Sequence, residues 1–139
     1  DLNIFKAYDI RGKYPEEINE NAVSEIITYL PEILKYENKN KQSTINNQQL
    51  IIIGHDARLS SPNLYHTIIE QLIINNQQSA IIKIGLSTTP MFYFLVNHFN
   101  ADGGIMITAS HNPKEYNGLK IVGKNAMPIS GEEIGKLMN

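Results

Sequence analysis

The sequence predicts a three-layer α/β/α sandwich around a mixed, mostly parallel sheet of about four core strands, the last of them antiparallel. Three observations carry that reading. Short branched apolar runs end in glycine, as at residues 50–53 before Gly54 and 80–84 before Gly85, the pattern of strands buried on both faces. Segments of helical period alternate with them, and such alternation builds a parallel sheet through right-handed crossovers. After a third run, residues 104–108, only a short segment ending in Asn117-Gly118 precedes residues 119–122. Asn-Gly is a hairpin signal, so the fourth strand is expected to return beside the third.

Each element follows in order. Residues 20–36 place Val23, Ile26, Ile27, Leu30, Ile33 and Leu34 at helical spacing, with Pro31 expected to kink or divide the helix. The polar run at 35–42 is expected to be a surface loop. The first core strand, 48–53, leads into a loop carrying His55-Asp56-Ala57-Arg58. Ser61 then offers an N-cap and Pro62 a first helical residue, with Leu64, Ile68, Leu72 and Ile73 expected on one face of a helix to about Asn75. Thr89-Pro90 repeats the device before a helix over about 91–99, between the second strand and the third. The connection over residues 109–116 is expected to protrude at the carboxyl end of the parallel strands, where open α/β sheets gather ligands.

Composition narrows the partners. A chain of 139 residues, 42% hydrophobic, can bury a core as one domain. Its apolar runs fall far short of the roughly 20 residues that span a bilayer, so no membrane partner is expected. No cysteine is present, which excludes disulfides and thiolate metal sites. Net charge is −2 and the lysines are scattered, which gives no footprint for nucleic acid. A small-molecule partner and a cytoplasmic location are the expectations. The chain starts at Asp1, and Ser130-Gly131-Glu132-Glu133 has capping-box spacing before a short apolar stripe. Residues 130–139 are therefore expected to be the truncated start of a helix or linker, and 1–139 the N-terminal domain of a longer polypeptide.

Two residues stand out against a lysine-rich background: Arg11 and Arg58 are the only arginines, each two positions after an aspartate, in Asp9-Ile10-Arg11 and Asp56-Ala57-Arg58. A guanidinium is a planar fork suited to phosphate or carboxylate. Two readings stand side by side: Asp–Arg pairs that pin loops, or anion ligands. The first serves Arg58 at least as well as the second, and Arg11 leans to the second. Ser110 followed directly by His111 is an awkward hydrolase pair, and no G-x-S-x-G elbow surrounds it. Taken alone, Ser110 reads as a loop serine, His111 as a solvated imidazole and Lys120 as a lysine on an outward strand face.

The stretch ITASHNPKEYNGLK at 107–120 resembles the phosphoserine signature of the α-D-phosphohexomutases, and FKAYDIRG at 5–12, GHDAR at 54–58 and GLSTTP at 85–90 extend the likeness in the family's order. The chain is similar to the first of four domains, and AYDIRG is closer to the phosphomannomutase/phosphoglucomutase branch than to the phosphoglucosamine mutases. The resemblance implies a phosphoserine that gives its phosphoryl group to a hexose monophosphate, forming a hexose 1,6-bisphosphate and then recovering the other phosphate. It implies Ser110 as the phosphoserine, His111 and Lys120 in proton transfer or charge stabilisation, and Arg11 and Tyr8 beside the transferring group. Lys120 is the preferred general base and acid. It further implies Mg²⁺ held by the serine phosphate and by an aspartate-rich loop of the second domain; here the aspartates are Asp1, Asp9, Asp56 and Asp102, with no ligand-loop spacing among them. The metal contribution expected of this chain is Ser110 through its phosphate, and the isolated domain is expected to be inactive. A non-catalytic phosphosugar-binding module of the same fold, or a phosphoglucosamine mutase, is the alternative.

Overall fold

The computed structural model describes residues 2–38, 48–75 and 79–139. Among these residues six strands and five helices are arranged as β1 (Ile10–Lys13), α1 (Glu20–Thr28), α2 (Leu30–Glu37), β2 (Gln49–His55), α3 (Ser61–Asn75), β3 (Ser79–Leu86), α4 (Thr89–His98), β4 (Gly103–Ile107), β5 (Tyr116–Val122), β6 (Pro128–Ile129) and α5 (Gly131–Met138). The sheet order is β1-β5-β4-β2-β3, with β6 also on β5. β2 is parallel to β3 and β4, and β5 runs antiparallel to β4, to β1 and to β6. The mixed sheet with an antiparallel return after the third core strand is as expected.

Burial divides the sheet into two faces. Ile51 and Ile53 of β2, Ile105 and Ile107 of β4, and Leu119 and Ile121 of β5 join residues of α1, α2, α3 and α5 in one core. Ile52, Met106 and Val122, the alternate residues on the same strands, pack with Phe92 and Val96 of α4 in the other. Alternation of side chains across a strand produces this division. α4 packs on β2 and β4 and on the 3-10 turn at Lys124–Ala126.

Several expectations need correction. Asp9-Ile10-Arg11 does not pin a loop as read, because β1 adds a strand at 10–13 that pairs with β5, Arg11 opposite Gly118. Asn117 and Gly118 lie inside β5 and not in a hairpin turn. Tertiary demands override the local signal: Asn117 is fully buried and its amide donates to Ser60 Oγ at 2.7 Å and Ser61 Oγ at 3.0 Å. A Cβ at Gly118 would stand 2.1 Å from the carbonyl oxygen of Ile10. The cap of α4 is Thr88, whose hydroxyl accepts from the Met91 N–H, one residue before the expected Thr89. Ser61 does not cap α3 in the expected way; its hydroxyl donates to Asp56 Oδ1 at 2.6 Å. Ile73 is 58% exposed, whereas Leu64, Ile68 and Leu72 are buried. Pro31 does divide the first helical segment, sitting in the first turn of α2. Lys35–Glu37 close that helix instead of opening a loop, and residues 39–42 of the expected loop lie outside the described residues. Ser130 caps α5 by accepting from the Glu133 N–H, as its spacing predicts. No helix among the described residues is long and apolar enough to cross a membrane.

Candidate active site

The chain leaves β4 at Ile107 and returns into β5 at Tyr116, so residues 108–115 form a short connection at the carboxyl end of the parallel strands. Ser110 is exposed on it at φ 55°, in the left-handed region that a residue with a Cβ adopts only when its surroundings hold it there. Both of its peptide groups are held. Its N–H donates to Thr108 Oγ1 at 3.0 Å, and its carbonyl accepts from Arg58 Nη2 at 2.9 Å. Among the described residues its hydroxyl makes no hydrogen bond.

Arg58 is the centre of this connection. Nη2 also donates to the carbonyl of Asn112 at 2.8 Å, while Nη1 donates to Pro113 O at 2.7 Å and Tyr116 O at 3.0 Å. Nε lies 3.3 Å from Asp56 Oδ2. Of the five N–H groups of the guanidinium, the four terminal ones thus each meet a carbonyl and Nε faces a carboxylate. Asp56 is fixed in turn, its Oδ1 accepting from the Arg58 N–H at 3.0 Å and from Ser61 Oγ. Asn112 closes the turn through its side chain, which donates to Ala109 O at 2.8 Å. An open depression beside Ser110 is lined by Asp56, Ala57, Arg58, Asn112 and Lys114.

The other expected residues meet on β1 and β5. Ile10 belongs to the core on the α1–α3 face, so its neighbour Arg11 stands on the opposite face; Lys120, between Leu119 and Ile121, does the same. Asp9 joins them, Oδ1 lying 3.2 Å from Arg11 Nε and Oδ2 3.6 Å from Lys120 Nζ. Asp9 is buried, whereas both cations are partly exposed. Beyond this pair, no side-chain hydrogen bond of Arg11 is made among the described residues, so its terminal amino groups remain open.

Among the described residues no hydrogen bond or ion pair links Ser110 directly to Arg11 or Lys120. The sheet register connects the two groups: Thr108 donates its N–H to Gly118 O at 2.9 Å, and Gly118 is the partner of Arg11. His111 and Tyr8 are exposed, Tyr8 to 80%, and neither side chain bonds to Ser110, Arg11 or Lys120. Reading residue types missed Thr108 and Asn117 as parts of the site, and it paired Asp9 with Arg11 but not with Lys120. Asp9 had a usable signal in its spacing to Arg11, whereas nothing in the sequence marks Thr108 as the partner of Ser110.

Fold and site together define a domain of α/β/α sandwich type that presents a serine from an arginine-clamped connection after the third core strand. The chain belongs to the phosphoglucomutase/phosphomannomutase family, whose alpha/beta/alpha domain I matches residues 2–139. It is 40% identical over 131 residues to phosphohexose mutases of Xanthomonas campestris pv. campestris, covering 94% of this chain and 26% of that protein. A phosphomannomutase of Klebsiella pneumoniae is 41% identical over the same length, with 74% of that protein covered. A solved phosphoglucomutase/phosphomannomutase family protein from Burkholderia thailandensis superposes with a TM-score of 0.76 at 26% identity, over 99% of this chain and 29% of its own. The chain thus spans about a quarter of the length of the Xanthomonas relative.

Proposed function

We propose that this chain is the phosphoserine-bearing first domain of a longer phosphohexomutase that moves phosphate between O1 and O6 of a hexose, with mannose or glucose phosphate as substrate. The observation that carries the proposal is the state of Ser110: its hydroxyl is exposed and unengaged while its backbone is fixed on both sides. Phosphoryl transfer asks for in-line positioning and neutralisation of spread charge more than for activation of a nucleophile. A fixed serine beside an open depression, with Arg11 and Lys120 on the adjoining strands, supports that chemistry.

In the first half-reaction a sugar hydroxyl attacks the phosphorus of phosphorylated Ser110, a P–O bond to the sugar forms and the P–Oγ bond breaks. The proton lost by the hydroxyl passes through Lys120 to Oγ, so the charge balances. The bisphosphate then presents its other phosphate, and the steps run in reverse. Arg11, with its terminal amino groups open, is assigned to the transferring phosphoryl group. His111 and Tyr8 are assigned to the rim, where their exposure leaves them free to meet substrate.

Magnesium fits this chain only in part. Among the described residues no three His, Cys, Asp or Glu side chains gather as a ligand set, and Asp56, which lines the depression beside Ser110, is engaged by Arg58 and Ser61. The chain would contribute phosphoryl oxygens on Ser110, with the remaining oxygen ligands supplied by another domain. Bound there, the ion would offset charge on the phosphoryl oxygens.

The test is intact-mass analysis of the full-length protein after incubation with glucose 1,6-bisphosphate. A phosphoryl group mapped to Ser110 is expected, and a protein that carries none there after incubation, or carries it only elsewhere, overturns the proposal.

A further inference from the structure

We infer that Arg58 is a positioning residue for phosphoryl transfer, acting on Ser110 through the backbone and never as a ligand of the phosphate; this rests on the reading of Ser110 as the phosphoryl carrier. Arg58 lies beside Ser110 in an open depression, where an arginine would ordinarily be taken for an anion ligand. Its hydrogen bonds say otherwise. All four terminal N–H groups are already spent on the carbonyls of Ser110, Asn112, Pro113 and Tyr116, and Nε is ion-paired with Asp56. A phosphate could recruit the guanidinium only by releasing a carbonyl of the connection that presents the serine. Its side chain is 13% exposed, which leaves little of the fork in reach of a ligand.

What Arg58 does control is the direction of the Ser110 side chain. The Cα–Cβ vector of a residue is set by the two peptide planes that flank it, and here Thr108 Oγ1 holds one while Arg58 Nη2 holds the other. The conformation they hold, φ 55°, is one that serine leaves readily when unconstrained. Loss of either anchor allows the peptide to relax and Oγ to swing. Transfer both to and from Oγ depends on the same line of attack, so a displaced Oγ slows each half-reaction while distal binding of the sugar is untouched.

Lysine cannot replace this fork, because a single ammonium carries three donors at one point and the four carbonyls are spread along the connection. In the full-length enzyme, Arg58→Lys is therefore expected to lower kcat by about 100-fold with KM held within about 3-fold. Guanidinium ion added to Arg58→Ala should recover part of kcat, since it can occupy the vacated cradle. Thr108→Val removes the other anchor at nearly constant volume and should give the same kcat-selective loss, with Thr108→Ser close to wild type. A rise in KM at unchanged kcat for Arg58→Lys would make the arginine a ligand and overturn the inference, as would wild-type turnover. If Arg58→Lys does not accumulate folded, the Thr108 pair decides: equal kcat in Thr108→Val and Thr108→Ser overturns it. Phosphorylation of the wild type separates the two proposals. A wild type that takes no phosphoryl group on Ser110 defeats the functional reading, whereas a phosphorylated wild type matched in rate by Arg58→Lys defeats only this one.

Discussion

Lys120 Nζ lies 3.6 Å from Asp9 Oδ2, on a carboxylate whose other oxygen lies 3.2 Å from Arg11 Nε. One buried anion therefore holds two cations from two strands side by side, offsetting a repulsion that would otherwise splay them. Asp9→Asn keeps the shape and removes the charge. In the full-length enzyme this is expected to cost about 10- to 100-fold in kcat through misplacement of the two cations. Steady-state kinetics at saturating substrate checks it, and wild-type turnover would leave Asp9 a purely structural residue.

Lys120 itself separates two forms of catalysis. Replacement by alanine is expected to lower turnover by roughly 10²- to 10⁴-fold, the range for a lost general acid–base group. Lys120→Arg keeps a permanent cation that cannot give up its proton. If Lys120 shuttles a proton, the arginine variant should be as slow as the alanine one. An arginine variant near the wild-type rate would reduce the role of Lys120 to charge stabilisation.

What could be read from the sequence depended on whether its cause was local. β2 and β4 announce themselves as continuous apolar runs because both of their faces are covered, and Ser130 announces α5 because a cap bonds within its own turn. β3 carries a similar apolar run, but as the edge strand it is only partly buried, against the expectation of burial on both faces. β1 does not announce itself. Ile10-Arg11-Gly12-Lys13 has one apolar residue, and it becomes a strand only through pairing with Tyr116–Leu119, more than a hundred residues away. Asn117-Gly118 fails in the opposite direction: a strong local turn signal is overruled because Ser60 and Ser61 require the amide and Ile10 leaves no room for a Cβ. The site follows the same division. Arg11 stands out by residue type, Ser110 and Lys120 only by family likeness, while the role of Arg58 is written in four backbone carbonyls that carry no sequence identity at all.

Gly118 is where strand pairing and site meet. A Cβ there would lie 2.1 Å from Ile10 O and 2.9 Å from Arg11 Cβ, and the first of these is backbone that cannot turn aside. Gly118→Ala should therefore push β1 off β5 and destabilise the domain by about 1–3 kcal/mol, the usual cost of overpacking. Urea unfolding measures it. A variant as stable as wild type would mean that β1 contributes little to the fold.

Tyr14 gives a prediction in pH. Its hydroxyl donates to Glu20 Oε1, and its pKa is raised above the ordinary 10.0, first by that hydrogen bond, then by burial and by the charge of Glu20, with Asn63 opposing. The folded state therefore holds the phenolic proton more tightly than the unfolded state does. The resulting stabilisation is complete below the ordinary tyrosine pKa, and it is lost as pH rises from there through the raised folded value. Tyr14→Phe removes the donor, so at pH 7 it should be less stable than wild type by about 1 kcal/mol, the net worth of one hydrogen bond. Above the ordinary tyrosine value the wild type surrenders this advantage, and the difference between the two should shrink. Taking the difference between variants cancels the lysines, which titrate in the same range in both. Urea unfolding of both proteins from pH 7 to about pH 11 tests the sign, because ionisation of an ordinary tyrosine is about nine-tenths complete at the upper end. A gap that stays constant or widens over that range would mean that Glu20 does not hold the Tyr14 proton in solution.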